Sequence, residues 1–85
     1  MDKFRALQYF AAAAAEGSLS GAARGFGVSV TAVAKLINAL EKVLGVRLFD
    51  RTPRGLALTA EGARYLEACG PALAQLVDAD EPIGQ

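Results

Sequence analysis

Apolar residues recur at spacings of three and four along the opening of the chain: Phe4, Leu7, Phe10, Ala11 and Ala14. That period predicts a helix over about residues 3–15, with Asp2 placed to cap its start and Gly17 to end it. A shorter helix is predicted over 20–26. Ser18 and Ser20 are both suited to cap it, Ala22, Ala23 and Phe26 turn inward, and Gly27 ends it. Gly21 and Gly25 each weaken it by up to about 1 kcal/mol relative to alanine, so it must lean on its neighbours. Only about three residues then precede the next apolar repeat, the short glycine-bearing link of a helix-turn-helix.

That next repeat is "SVTAVAKLINALEKVLG", opened by Ser29 as a cap. Residues turn by about 100° each around a helix, which groups Val33, Ile37, Leu40 and Leu44 on one face and Thr31, Lys35, Asn38 and Lys42 on the other. Leu36 falls at the edge of the apolar arc, either as a boundary residue against the first helix or as an exposed contact for a partner. After Gly45 the pattern changes to alternation. Val46 and Leu48, then Leu56 and Leu58, flank the turn Thr52-Pro53-Arg54-Gly55, which predicts a β-hairpin with a basic tip. Thr59 caps a last helix, with Glu61 favourably placed in its first turn. Ala63, Leu66, Gly70, Leu73 and Val77 then follow at the spacing of a two-helix coiled-coil seam. Pro71 predicts a kink or break near Cys69 and Gly70, and the tail "DADEPIGQ" reads as disordered or as the start of a linker.

Taken in order, these elements predict a mainly α fold. A winged helix-turn-helix of three helices plus a short β-hairpin wing occupies residues 2–58, a linker or dimerisation helix 59–78, and a tail or linker 79–85. At 85 residues there is room for one small domain, able to bury only about 60–65% of its unfolded surface. Help from a partner is therefore expected. The 53% hydrophobic composition argues for a packed domain, although much of it is alanine, which favours helix while adding little core volume.

Net charge is zero, yet its distribution is uneven. Residues 24–54 hold Arg24, Lys35, Lys42, Arg47, Arg51 and Arg54 against Glu41 and Asp50, whereas residues 55–85 set Arg64 against Glu61, Glu67, Asp78, Asp80 and Glu81. A polyanion responds to the local field, so the basic middle third is the candidate nucleic-acid surface. An unevenly charged, solvated surface without a ligand is the plainer alternative. Cys69 is the single cysteine and there is no histidine, so no internal disulfide, no zinc site and no histidine base are available; no enzymatic activity and no cofactor are expected. Cys69 on a helix seam reads as a small apolar residue rather than a redox switch. No apolar run has the length of a membrane span, and Asp2, Lys3 and Arg5 do not resemble a cleaved signal, so a cytoplasmic protein with no membrane partner is expected.

Three stretches, "LQYFAAAAAEGSLSGAARGFGVS", "AVAKLINALEKVLGVRLFDR" and "LTAEGARYLE", stand in one register. Together they resemble the N-terminal DNA-binding domain of LysR-type transcriptional regulators over about residues 2–78. The resemblance implies a transcription regulator that binds promoter DNA as a dimer through the last helix, with tetramers possible in the full-length protein. A small-molecule effector would belong to a downstream domain, so the chain is expected to be a fragment or a separate domain. In this picture helix 29–44 enters the major groove and the wing, residues 51–55, lies on the minor groove.

The expected DNA-contacting residues are Ser29, Thr31, Ala32, Lys35, Asn38, Arg51, Thr52 and Arg54, and the expected dimer contacts are Ala63, Leu66, Leu73, Leu76 and Val77. Arg51 has an alternative, pairing with Asp50 or a helix end, and Lys35 and Arg54 can be read simply as a solvated lysine and a turn residue. Ser18, Ser20 and Ser29 are first of all helix caps, with phosphate contact a second use. Where the family commonly reads Gln-Pro-Ala-Val-Ser-Lys-Gln, residues 30–36 read Val-Thr-Ala-Val-Ala-Lys-Leu. Two amides and a hydroxyl are lost, which leaves base readout to Thr31, Lys35 and Asn38, with Val30, Ala32 or Ala34 offering apolar contact to thymine methyls. A helical protein-interaction or dimerisation module with weak or no DNA binding is the alternative function.

Overall fold

In the computed structural model, which describes residues 1–84 with side chains through Asp80, the chain runs helix, helix, helix, hairpin, helix. Helix α1 (Lys3–Glu16) starts where the Asp2 carboxylate accepts the Arg5 backbone N–H at 3.0 Å. Helix α2 (Leu19–Phe26) starts where the Ser18 hydroxyl accepts from Gly21, and α3 (Val30–Leu44) where the Ser29 hydroxyl accepts from Ala32, both at 3.0 Å. Ser18, not Ser20, is therefore the cap of α2, which begins one residue earlier than the sequence suggests. Each of the three helices stops at a glycine in the left-handed conformation: Gly17, Gly27 and Gly45.

The core lies where α1, α2 and α3 meet the base of the hairpin. Val33, Ile37 and Leu40 are buried on α3 and Ala22 and Ala23 on α2, the faces that the apolar spacing predicts, and Leu36 is a half-buried boundary residue. On α1 the buried stripe is Ala6, Tyr9, Phe10 and Ala13, so the helix is rotated from the expected arc, and Phe4, Leu7, Ala11 and Ala14 lie at its half-buried margins. Alanine explains the difference. Its small side chain lets α2 and α3 approach α1 closely, while the pattern weights it little. Phe10 ties the layers together, its ring centroid 5.4 Å from that of Phe49 and 5.8 Å from that of Tyr65.

The hairpin pairs β1 (Phe49–Thr52) with β2 (Gly55–Leu58) in antiparallel register, Phe49 opposite Leu58 and Thr52 opposite Gly55. It begins later than the expected alternation, because Val46 and Leu48 precede the strand. The N–H of Leu48 is held by the Glu41 carboxylate at 2.6 Å, and that of Phe49 reaches the same oxygen at 3.3 Å. Two contacts lock the hairpin to the helices. Leu56 donates its N–H to the Gly17 carbonyl at 3.1 Å, and Gly55, at φ +127°, sits so close that a Cβ would stand 2.7 Å from that same oxygen.

Helix α4 (Ala60–Gly84) starts at Thr59, whose hydroxyl accepts the Gly62 N–H at 2.9 Å and donates to the Arg47 carbonyl at 2.6 Å. Two expectations are corrected here. The helix continues unbroken through Pro71, and it extends across residues 79–84 of the stretch read as disordered or as the start of a linker; Gln85 lies outside the described residues. Proline removes one hydrogen-bond donor and crowds the carbonyl four residues back, but a further conflict, with the Cβ of the preceding residue, is absent because that residue is Gly70. Alanines at 68, 72 and 74 favour helix on both sides.

Candidate nucleic-acid interface

Packing Val33, Ile37 and Leu40 inward leaves Thr31, Lys35, Asn38 and Lys42 exposed along the opposite side of α3. At its start, the Ser29 hydroxyl is committed to the Ala32 N–H, and Ala32 is half-buried. Val30 is 43% exposed, an apolar group at the very beginning of the helix.

Arg51 is the residue through which the hairpin and α3 share a surface. It lines one shallow depression with Ser18, Ser20, Val30 and Thr52, and a second, along α3, with Ala34 and Asn38. Asp50 does not pair with it. Among the described residues the ion pair is Arg47 to Asp50, 3.9 Å apart with both side chains largely exposed, and Arg47 also donates to the Phe49 carbonyl at 2.9 Å. The guanidinium of Arg51 is thus left to solvent beside α3. At the tip, the Thr52 hydroxyl donates to the Gly55 carbonyl at 3.1 Å and accepts the Arg54 N–H at 3.2 Å, which fixes the turn and holds Arg54 exposed.

Glu41 and Gly62 are structural determinants of this surface that the periodicity does not single out. Glu41 lies on α3 yet binds the backbone leading into β1, so the wing is anchored to the helix beside it. Gly62 lies under the Leu48 carbonyl, where a Cβ would overlap the oxygen. In the sequence Glu41 stands out only as one of two acids, with Asp50, in a basic third of the chain.

The five residues expected at a dimer seam are divided by the fold. Leu66 is half-buried against the chain's own core, and Leu73 is buried to 9% exposure along the margin of an open groove. Val77 is half-buried beside an open apolar groove that also includes Ala11, Phe26 and Leu73, whereas Ala63 and Leu76 are exposed, Leu76 by 55%. Heptad spacing marks an apolar face without saying whether α1 of the same chain or another molecule covers it. Here α1 covers its inner edge. Cys69 is half-buried, and among the described residues no helix is long and apolar enough to cross a membrane.

The family model described as "Bacterial regulatory helix-turn-helix protein, lysR family" matches residues 4–63. The HTH-type transcriptional regulator TfdS of Cupriavidus pinatubonensis is 51% identical over 65 residues, which is 76% of this chain and 22% of that protein. The chain therefore spans about a fifth of that relative's length. A crystal structure of the CbnR DBD–DNA complex aligns with a TM-score of 0.80 at 35% identity, covering 100% of both chains. The structure of the BenM DBD with catB site 1 DNA aligns with a TM-score of 0.83 at 28% identity, covering 100% of this chain and 98% of the other. With a family match across most of its length, and a winged helix-turn-helix in common with both DNA-binding domains, the chain belongs to the LysR family of bacterial helix-turn-helix regulators.

Proposed function

We propose that this chain is a DNA-binding unit that docks α3 in the major groove of promoter DNA and lays the wing, residues 51–55, along the adjacent minor groove, acting as a dimer in a transcription regulator. The carrying observation is the shared surface around Arg51, where the polar edge of α3 and the basic hairpin tip lie side by side with no acidic partner on Arg51 or Arg54 among the described residues. Lys35 suits a guanine edge, Thr31 and Asn38 suit polar base groups, and Arg51, Thr52 and Arg54 suit the backbone and narrow minor groove. Residues 2–58 are the reading unit in this picture, and 59–78 the dimerising helix. Leu76 and Ala63 offer the exposed apolar contacts on that helix, beside Val77. A small-molecule effector would act through a part of the regulator outside this chain, and the full protein could assemble further into a tetramer.

Fluorescence anisotropy with a duplex at about 50 and 200 mM salt tests the reading, because phosphate contacts release counterions and lose affinity steeply over that range. Lys35→Ala and Arg54→Ala are each expected to weaken binding. Loss of neither, or no salt-sensitive binding at all, refutes the docking and leaves the protein-interaction alternative. Sedimentation checks the dimer: Leu76→Asp is expected to shift the chain toward monomer, and a wild-type chain that stays monomeric at high micromolar concentration removes α4 as the contact.

A further inference from the structure

We infer that Val30 is a specificity-determining residue that reads the C5 methyl group of a pyrimidine in the major groove, a deepening that rests on the docking proposed above. A valine at the first position of α3 serves the fold poorly. It is β-branched, a weaker helix former than alanine, and at 43% exposure it takes no share in the core. Its surroundings give it a different use. Ser18, Ser20, Arg51 and Thr52 line the same depression together with the half-buried Leu19 and Leu56, so Val30 is the exposed apolar side chain beside hydroxyls and a guanidinium. The hydroxyls and the guanidinium match phosphate and sugar oxygens, and the exposed valine matches the one apolar group that a base pair presents in the major groove, the pyrimidine C5 methyl.

The rest of the helix start supports the assignment by what it carries. From 30 to 35 the side chains are Val, Thr, Ala, Val, Ala and Lys, with Val33 buried. No amide is present there to grip adenine by two bonds and no guanidinium to grip guanine. Lys35 can take a guanine and Thr31 a donor or an acceptor, which leaves Val30 as the exposed apolar reader. Thymine and 5-methylcytosine carry the same methyl at the same place and differ at the neighbouring ring position, an oxygen in one and an amino group in the other. A valine cannot tell them apart, and the hydroxyl of Thr31 accommodates either. Cytosine methylation at this position is therefore expected to substitute for thymine.

The test starts from duplexes enriched by the chain from a random pool. Each thymine is replaced singly by deoxyuridine, which removes only the methyl. At one thymine per half-site the wild-type chain is expected to lose about four-fold in affinity, the worth of burying one methyl group. Placing cytosine there lowers affinity, and methylating its C5 is expected to recover about four-fold. Val30→Ser, at an exposed position that accepts serine, is expected to bind thymine and uracil duplexes alike, with Val30→Ala intermediate. Equal wild-type binding of thymine and uracil duplexes at every position overturns the inference while leaving DNA binding intact, as does unchanged discrimination in Val30→Ser. Enrichment of no duplex overturns the docking and this inference together. Recovery with thymine but not with 5-methylcytosine limits the reader to thymine and refutes the methylation claim.

Discussion

Replacing Glu41 with alanine removes the carboxylate that joins α3 to the start of the wing. Its Oε2 accepts the Leu48 N–H at 2.6 Å and the Phe49 N–H at 3.3 Å, while Leu48 and Phe49 themselves are buried. Hydrogen bonds to a charged group contribute about 1.5–3 kcal/mol each, and a buried donor left without a partner costs about 1–3 kcal/mol. The longer bond is weak and Glu41 is half-buried, so the two together are worth about 2 kcal/mol rather than the sum of the upper values. For a domain of this size that lowers the melting temperature by about 10 °C, measured by circular dichroism. Glu41→Gln keeps one acceptor oxygen but no charge, and is expected to lose about half as much. Because Arg51 and Arg54 sit on the strand and turn that Glu41 holds, Glu41→Ala should also weaken DNA binding more than its distance from the DNA would suggest. A change in stability within about 0.5 kcal/mol of wild type, the range of an ordinary surface substitution, would refute the anchor.

Gly62→Ala and Gly25→Ala should move stability in opposite directions in urea titrations. A Cβ at Gly62 overlaps the Leu48 carbonyl and should cost about 1–3 kcal/mol, while Gly25 has open space around it and should gain about 0.5–1 kcal/mol. A gain at Gly62 would show that α4 does not press on that carbonyl. Burial, reinforced by hydrogen bonding and charge interaction with Cys69, raises the Tyr65 phenol above its ordinary value of 10.0. The folded state thus holds this proton more tightly than the unfolded one, so the contribution is complete below pH 10.0 and lost as pH rises through the folded value. Unfolding at rising alkaline pH should show this decline, and Tyr65→Phe should flatten it; an unchanged slope in the variant would assign the decline to other groups.

Helix starts and stops were legible because they are local. Asp2, Ser29 and Thr59 satisfy N–H groups within three residues, and Gly17, Gly27 and Gly45 end helices by their own backbone freedom. The two faces of α3 were legible for a related reason: a large apolar residue such as Val33, Ile37 or Leu40 leaves little choice of orientation at a fixed turn per residue. Alanine is less decisive, which is why the rotation of α1 toward Ala6 and Ala13 was not. The basic hairpin tip could be read from Thr52, Pro53, Arg54 and Gly55, but which arginine pairs with Asp50 could not.

What the sequence by itself determined is therefore the set of elements, their order, and the apolar and polar sides of the strongly patterned helices, since each depends on neighbours a few positions apart. The tertiary structure decided which of those faces meet. It turned Leu66 onto the chain's own core, gave Asp50 to Arg47, fastened the wing to Glu41 and Gly17, and placed Arg51 beside the start of α3. Such pairings depend on distances between elements remote in the chain, set by how closely small side chains allow them to pack. A periodic pattern identifies a face to be covered; packing determines what covers it.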